Sequence, residues 1–464
     1  MTNSINASRR ALLRHVSALS ALGVGMPLAL NLAAIGAAAA QTAPGAIKDY
    51  KAVVCLFLAG GNDAHNTVLA TDPTSLASYN LHRGSGTPQS IALNPAAMLP
   101  ITPATPQSGR SFALHPNLGP LRDLFNQGRL GIVANVGTLL VPISKAQFSS
   151  TPQPPALLSH NDQSVQWQCR QGIAGWGNRM GELLMSANGT ELMTCISHGG
   201  NSTFLAGDRP PQVQINSNGM TPLSAPLLAN LFGSTTAPAS IRDLLTRSRT
   251  EPFAASQTAV VNRLIEAQAL FQRSLLPAGA GGVANPPAGS GLGAVLQNIA
   301  RVIGGHTIAN VRRQVFFAAI GGFDNHDKLL VNHGALMTQL AVALQYFDDV
   351  LGALNMRDNV TLFTASEFGR TLANNGSGSD HGWGGHHFVM GGAVKGGDIY
   401  GRYPILGSDT PDDFGQGRLL PAVSVDQMGS TIARWFGLSE SQLDDVFPYL
   451  RNFGSSRNLG FMKV

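Results

Sequence analysis

Four apolar runs of strand length, separated by segments with helical periodicity, constrain the fold of this chain more than any other feature. Uninterrupted runs of this kind are typical of strands that are buried on both faces of a parallel sheet. Their alternation with amphipathic helices, clearest at about 118–127 and 336–354, is typical of an α/β protein. We therefore predict a doubly wound, mostly parallel sheet with helices on both faces. The strands are expected at 52–58, 130–135, 314–320 and 360–364.

Acidic or histidine-containing loops follow three of these predicted strands. Asp63 follows the first, Asp324 and His326 follow the third, and Glu367 follows the fourth. Because ligands of open α/β sheets bind at the carboxyl ends of the strands, these side chains are expected to converge. Asp380 and His381 lie in the next Gly-rich loop. Mixed carboxylate and imidazole ligands suit Zn²⁺, Mn²⁺ or Fe, whereas Ca²⁺ prefers oxygen ligands.

Each of these residues alone has a plainer interpretation. A strand-end aspartate such as Asp63 often only caps a turn. We interpret the pair at 386–387 as solvated loop residues and His333 as a residue of a helix surface. The agreement of three strand ends is what favours a metal site.

The N-terminus has the pattern of a targeting segment. Arg9, Arg10 and Arg14 precede a long Ala/Leu/Gly run that ends in small residues near position 40. Paired arginines before a mildly apolar stretch resemble a twin-arginine signal, so we predict a cleaved signal peptide at 1–40. The alternative is an uncleaved membrane anchor on a structural protein. Residues 41–464 carry a formal charge of only +2, which argues against a nucleic-acid partner.

The order of the motifs resembles an exported bacterial family, domain-of-unknown-function family 1501. The resemblance runs from about residue 50 to 460, and that family in turn resembles the alkaline phosphatase, sulfatase and cofactor-independent phosphoglycerate mutase superfamily. It is carried by Gly-Gly-Asn-Asp-Ala-His-Asn66, Ser-His-Asn-Asp-Gln163, Gly-Gly-Phe-Asp-Asn-His326, Ser-Glu-Phe-Gly-Arg-Thr371, Ser-Asp-His-Gly382 and the segment 424–437.

The resemblance implies an alkaline phosphatase-like core with two divalent ions beside a nucleophile at a helix N-terminus. Asp63 matches the first-strand aspartate, and Ser159 is the best match for the nucleophile, with a helix N-cap as its alternative role. Arg370 is then placed to bind a substrate anion, unless it forms a structural ion pair. The implied metal ligands are Asp63, Asp324, His326, Glu367, Asp380 and His381.

Two departures from the superfamily pattern bear on activity. Asp324 and His326 are separated by one residue, where the superfamily usually has three. Glu367 stands where the superfamily has an Asp-His pair directly after the fourth strand. The second metal position is therefore altered, and Zn²⁺, Mn²⁺ and Ca²⁺ are not distinguished.

These features predict a periplasmic or extracellular metal-dependent hydrolase of phosphate or sulfate esters. Its partners are expected to be a small anionic ester and the twin-arginine export machinery, without nucleic acid or stable membrane insertion after cleavage. The domain is predicted to span 41–464 with a helical insert at about 204–292, which would set specificity. The alternative is a non-catalytic metal-binding or accessory protein on the same fold.

Overall fold

The computed structural model describes residues 47–107, 109–169, 174–216, 219–220, 230–231 and 233–463. The predicted signal peptide at 1–40 and part of the predicted insert lie outside the described residues. The elements from Tyr50 onward form one compact unit. No helix within the described ranges combines the length and the apolar character needed to cross a bilayer.

Strands β1 to β13 build a large sheet and a small one. Among the described residues the large sheet has ten strands in the order β12-β5-β11-β10-β1-β9-β6-β7-β8, with β13 beside β5, and the small sheet has the order β2-β4-β3. The strands are β1 Lys51–Leu58, β2 Val68–Ala70, β3 Leu99–Ile101, β4 Phe112–Leu114, β5 Leu130–Gly137, β6 Cys195–His198, β7 Gln212–Asn216, β8 Gly219–Met220, β9 Arg313–Ile320, β10 Val360–Ala365, β11 Gly385–Met390, β12 Ile399–Tyr400 and β13 Val423–Ser424.

Most neighbours in the large sheet are parallel. The antiparallel pairs among the described residues are β10 with β11, β11 with β5, and β7 with β8. All four predicted strands are present, and β1 is buried along its length after Lys51. The prediction of an α/β fold with a large, mostly parallel sheet is confirmed. The doubly wound arrangement of its helices stays a prediction.

Helices α1 to α10 connect these strands. Their apolar residues recur at helical spacing, as in α2, where Leu121, Leu124 and Phe125 are buried. The helices are α1 Pro73–His82, α2 Gly119–Asn126, α3 His160–Gln168, α4 Trp176–Leu184, α5 Ala237–Thr246, α6 Pro252–Ser274, α7 Gly291–Gly304, α8 Leu329–Ala353, α9 Val425–Phe436 and α10 Glu440–Val446. Within the range of the predicted insert, β7 belongs to the main sheet, whereas α5 and α6 are helical.

The carboxyl ends of β9, β1 and β10 lie side by side. Leu58 of β1 is level with Ile320 of β9, and the neighbouring Phe57 is level with Ala365 of β10. Side chains that follow these three strands therefore leave the sheet at the same edge, as the sequence predicted.

Three histidines are placed differently from the sequence-based interpretation. His333 is 1% exposed, because His115, Phe323 and Asn62 cover its ring. His386 and His387 are also buried, since they belong to β11 in the interior of the large sheet and not to a solvated loop. Burial lowers the pKa of His333 to about 4 and those of His386 and His387 to about 3.

Candidate metal centre

The carboxylate of Asp324 is the centre of a cluster of charged side chains at this sheet edge. It follows β9 and is 45% exposed. Its Oδ1 lies 3.0 Å from His326 Nε2 and 3.3 Å from His381 Nε2, and its Oδ2 lies 3.4 Å from Nε2 of His160. Arg370 donates from Nη1 to Oδ1 at 2.7 Å. Loops far apart in sequence thus bring three imidazoles and one guanidinium to a single carboxylate.

Each of the three imidazoles has its other nitrogen, Nδ1, beside an oxygen acceptor. Nδ1 of His160 lies 2.8 Å from Glu367 Oε1, and Nδ1 of His381 lies 2.7 Å from the carbonyl oxygen of Leu158. Nδ1 of His326 lies 3.2 Å from Asp380 Oδ1. These acceptors favour the tautomer that carries its proton on Nδ1, which leaves the Nε2 lone pair free. All three free lone pairs then belong to nitrogens grouped around Asp324.

This geometry fits a single transition-metal ion. Ligand atoms about 2.0–2.1 Å from a tetrahedral ion are roughly 3.3–3.4 Å apart. The edges of the triangle formed by Asp324 Oδ1, His326 Nε2 and His381 Nε2 are 3.0, 3.3 and 3.0 Å long. One ligand atom each of His160, Asp324 and His381 also lie within 4.8 Å of one another. Imidazole nitrogens anchored through their second nitrogen are the usual form of metal-bound histidine.

Protonation in the cluster is consistent with ligand chemistry. Although partial burial opposes it, the hydrogen bond and charge of Arg370 hold the pKa of Asp324 below its usual value. Hydrogen bonds from Asn375 and His326 similarly lower the pKa of Asp380. Burial lowers the pKa of His381, which keeps its imidazole neutral near pH 7. Anionic carboxylate and neutral imidazole are the forms that bind cations.

A glycine turn after β1 fixes the outer residues of the cluster. Gly60 donates its N–H to Glu367 Oε1 at 2.8 Å and accepts from Arg370 through its carbonyl oxygen. Its φ is +122°, and a Cβ there would lie 2.3 Å from the main-chain nitrogen of Asp324. Phe368 packs on His381 and His160, with ring centroids 4.6 and 4.8 Å away. Glycine is therefore required at position 60. The ring of Phe368 holds the imidazoles of His160 and His381 in place by packing against both.

Asp63 does not join the cluster, which corrects the predicted convergence at that residue. Both of its carboxylate oxygens accept hydrogen bonds from Arg83, at 2.7 and 2.8 Å, and it is 1% exposed. Although burial opposes it, the charge of Arg83 lowers the pKa of Asp63 to about 2. A buried guanidinium is thus the cation that pairs with Asp63 in this structure. Within the described part of the chain a single group of candidate ligands, His160, Asp324 and His381, has its ligand atoms within 4.8 Å of one another, whereas the sequence predicted two ions.

Glu367 and Asp380 lie in an outer layer around the candidate ligands. Glu367 is 3% exposed, and its Oε1 accepts from both His160 and Gly60. Asp380 accepts from Asn375 at 2.8 Å and lies beside the Nδ1 nitrogen of His326. The structure places these two predicted ligands where they orient histidines.

Ser159 and Arg370 are engaged in structural contacts. Ser159 caps α3, since its Oγ accepts from the N–H of Asp162 and donates to Asp162 Oδ2 at 2.5 Å. Arg370 is fully buried and donates to Gly60, Ser379 and Asp324. The structural alternatives considered for both residues, a helix cap and an ion pair, describe these contacts.

His160 is the member of the cluster that sequence analysis missed. It is the first residue of α3, directly after the Ser159 cap, and its Nε2 lies 3.4 Å from Asp324 Oδ2. The signal was present in the Ser-His-Asn-Asp motif. Residues next to each other at a helix start point in different directions. Ser159 can therefore cap the helix while the side chain of His160 contacts the cluster.

Several solved structures resemble this chain weakly. Ps i-CgsB in complex with k-i-k-neocarrahexaose has a TM-score of 0.32 and 11% identity, covering 87% of this chain and 77% of that one. The lipoteichoic acid synthase LtaP from Listeria monocytogenes has a TM-score of 0.32 and 8% identity, covering 84% and 73%. The soluble domain of lipooligosaccharide phosphoethanolamine transferase A from Neisseria meningitidis has a TM-score of 0.31 and 10% identity, covering 86% and 92%.

No curated protein matches the chain in sequence. A family model does match, over residues 278–447, and this range contains every member of the cluster around Asp324 except His160. The resemblance inferred from the motifs is thereby confirmed: residues 278–447 match the family described as "Protein of unknown function (DUF1501)".

Proposed function

We propose that this protein is a metal-dependent hydrolase of phosphate or sulfate esters. The observation that carries the proposal is the common arrangement of His160, His326 and His381 around Asp324. Each imidazole has its Nδ1 beside an oxygen acceptor and its Nε2 beside the same carboxylate. In the tautomer with its proton on Nδ1, Nε2 cannot donate to Asp324, so hydrogen bonding alone does not explain three Nε2 atoms beside one carboxylate, whereas a bound cation does.

The donor set favours one ion of zinc, manganese or iron. Three imidazoles and one carboxylate are poor ligands for Ca²⁺, which takes oxygen atoms. A divalent cation held there supplies Lewis acidity, which polarises an ester oxygen and lowers the pKa of a water molecule. We propose one ion because the carboxylate of Asp63 is occupied by Arg83.

The residues of the chain would divide the remaining work. Arg370 holds Asp324 in its ionised form, and Glu367 fixes the ring of His160. Asp324 and His326 each have side chains that are 45% exposed, so an ester has direct access to the centre. A solvent-accessible site of this kind is compatible with a small anionic ester as substrate.

A non-catalytic accessory role is the second candidate, and two observations favour it. The hydroxyl of Ser159 is engaged with Asp162, and the guanidinium of Arg370 is engaged with Asp324. Neither of the two predicted catalytic groups is therefore free in this structure. On this alternative the same four ligands bind a cation without turnover.

Metal content and hydrolysis, measured on the same purified full chain, test both candidates. The chain is equilibrated with Zn²⁺ or Mn²⁺, and bound metal is counted by mass spectrometry. Turnover is then measured with p-nitrophenyl phosphate, bis(p-nitrophenyl) phosphate and p-nitrocatechol sulfate. We expect about one ion per chain and metal-dependent hydrolysis of at least one ester. Asp324→Asn is expected to lose both.

A matched variant controls for the removal of a carboxylate. Asp349 lies exposed on α8 and contacts Gln345, so Asp349→Asn removes a negative charge far from the cluster. It is expected to keep metal and turnover. Bound metal without turnover on any ester favours the accessory role. Hydrolysis that persists in Asp324→Asn, or a wild type that binds no metal, contradicts the proposed centre.

We also propose that the protein is exported through the twin-arginine pathway and cleaved near residue 40. The support is the sequence of residues 1–40 alone. Replacement of Arg9 and Arg10 by lysine is expected to stop export. An exported form whose intact mass equals all 464 residues would contradict cleavage.

A further inference from the structure

Arg418 lies against the main chain of one of the candidate ligands. Its Nε donates to the carbonyl oxygen of His381 at 2.9 Å, and its Nη1 donates to the carbonyl oxygen of Gly415 at 3.3 Å. The side chain is half-buried. The imidazole of the same His381 belongs to the cluster around Asp324. Arg418 thus contacts the main chain of a candidate ligand and lies beside the loop that carries it.

The segment that carries Arg418 is fixed to the loop of the site. Leu372 and Ala373 donate their N–H groups to the carbonyl oxygens of Gly417 and Gln416, both at 3.2 Å. On the other side, Gly384 donates to the carbonyl oxygen of Leu419 at 3.0 Å. These bonds place Arg418 between the two segments that flank His381, so its position does not depend on a free loop.

Arg418 differs from the other two arginines near this edge in the groups that accept its hydrogen bonds. Arg83 is paired with Asp63, and Arg370 is paired with Asp324. Across the described ranges, Arg418 makes no ion pair with a carboxylate within 4 Å, and its bonds go to carbonyl oxygens. Its Nη2 takes part in neither of these bonds. An arginine held this way has a planar face with donors still available for an oxyanion.

An unneutralised guanidinium beside a divalent cation is unfavourable until an anion lies near both. Two positive centres repel each other, and a tetrahedral oxyanion with several oxygens can accept from one while it binds the other. Arg370, the arginine that the sequence singled out, is buried and its charge is already neutralised by Asp324. The charge of Arg370 is therefore already paired, whereas the charge of Arg418 remains available to bind an anion.

We infer that Arg418 binds the anionic group of the substrate, a phosphate or sulfate, next to the cation site. The inference rests on the proposed function for the presence of a cation, and it names a substrate-binding residue that the motifs did not indicate. A tetrahedral oxyanion is the chemistry recognised, and phosphate and sulfate are the two sources that an experiment must separate.

Binding of inorganic phosphate and inorganic sulfate, measured separately by isothermal titration calorimetry on the Mn²⁺-equilibrated full chain, tests this inference without requiring turnover. Arg418→Gln is expected to raise the Kd of the preferred anion at least tenfold while bound Mn²⁺ stays unchanged. Arg418→Lys keeps the charge but loses the fork, so its Kd is expected to fall between the two.

Arg249 offers a matched control. It is exposed and donates to the carbonyl oxygen of Leu244, so Arg249→Gln removes the same charge from a carbonyl-bound arginine elsewhere. Its Kd is expected to equal that of the wild type. Thermal melting of each variant identifies a loss of folding, in which case Arg418→Lys alone decides.

The outcomes separate this inference from the proposed function. Anion binding that depends on Arg418 in a protein without esterase activity supports the anion site and contradicts the hydrolase. Anion binding that is equal in the wild type and Arg418→Gln overturns the inference, as does a wild type that binds neither anion. If esters are hydrolysed, Arg418→Gln is expected to raise KM more than it lowers kcat.

Discussion

The loops after two neighbouring strands contain nearly the same tetrapeptide, yet the aspartate at its end is buried in one loop and exposed in the other. β1 is followed by Gly-Gly-Asn-Asp63, and β9, its parallel neighbour, is followed by Gly-Gly-Phe-Asp324. Asp63 is 1% exposed and gives both carboxylate oxygens to Arg83. The side chain of Asp324 is 45% exposed and accepts from one arginine while three imidazoles surround it.

The difference lies in what the rest of the chain brings to each aspartate. Arg83 directly follows α1, and its bidentate pairing occupies both carboxylate oxygens of Asp63 and neutralises its charge in the interior. Arg370 donates to Asp324 from a single nitrogen, so Oδ2 still faces His160. One aspartate is thus part of the buried framework, and the other remains available to a ligand. The same local motif supports either role.

The largest difference between the two aspartates is expected when the arginine that pairs with each one is replaced. Arg83→Met leaves the carboxylate of Asp63 buried and unpaired, so the free energy of unfolding is expected to fall by about 3–5 kcal/mol. Arg370→Met leaves the half-exposed Asp324 accessible to water, and the loss is expected to be clearly smaller. Urea denaturation of both variants measures this. Equal losses would contradict the division into framework and site.

Acid stability sharpens the contrast between buried and clustered histidines. Burial lowers the pKa of His333 to about 4, below the usual value of 6.5. Because the unfolded chain takes up the proton first, this stability is present above about pH 6.5 and is lost as the pH falls toward 4. The loss amounts to about 3 kcal/mol for this one residue.

His333→Gln keeps a donor for Asn62, which lies 3.1 Å from His333 Nε2. The variant is expected to show a flatter dependence of unfolding free energy on pH between 6.5 and 4. An unchanged slope in His333→Gln would mean that this imidazole is not buried in solution.

Replacement of Glu367 tests whether it orients His160. Glu367→Gln preserves the shape and the acceptor for Gly60 but removes the negative charge that holds His160 Nδ1. Affinity for Mn²⁺ is expected to fall about 10–100-fold, a common result for such outer partners. Asp380→Asn is expected to do less, since the side chain of Asp380 is 44% exposed and solvent replaces its contact. Titration with a metal indicator measures both.

The smallest expected effect belongs to Ser159. Ser159→Ala removes the cap of α3 and is expected to lower the free energy of unfolding by about 1 kcal/mol. If the hydroxyl is only a cap, metal content and any ester turnover remain near the wild-type values. A loss of turnover by orders of magnitude with metal still bound would instead identify Ser159 as a nucleophile.

Strand-end position predicted Asp324 and His326 because parallel strands bring their carboxyl ends to one edge whatever their order in the chain, whereas Asp380 and His381 were proposed from the following Gly-rich loop. Asp324, His326, Asp380 and His381 meet there, although the last two lie more than 50 residues beyond the first two. Asp63 also follows a parallel strand, but it does not join the cluster. No local pattern around it indicates that Arg83, twenty residues later, would bind both of its oxygens.

Helical histidines were the second failure, with a related cause. His333 was assigned to a helix surface, yet its ring is buried beside His115, Phe323 and Asn62. His160 was considered only beside Ser159, although its ring reaches residues that lie between 164 and 221 positions away. Periodicity describes the face of an element, but the element packed against that face decides whether it is buried.

Hydrophobic periodicity and turn residues act locally, so the strands, the helices between them and the edge at which the polar loops emerge could be predicted from the sequence. Which aspartate stays accessible, which nitrogen of each histidine faces it, and which arginine pairs with a carboxylate became clear from the three-dimensional arrangement alone. Those outcomes depend on hydrogen bonds between residues as much as about 300 positions apart, such as Gly60 with Glu367. Such pairings follow from the packing of whole elements, and no segment of the sequence contains them.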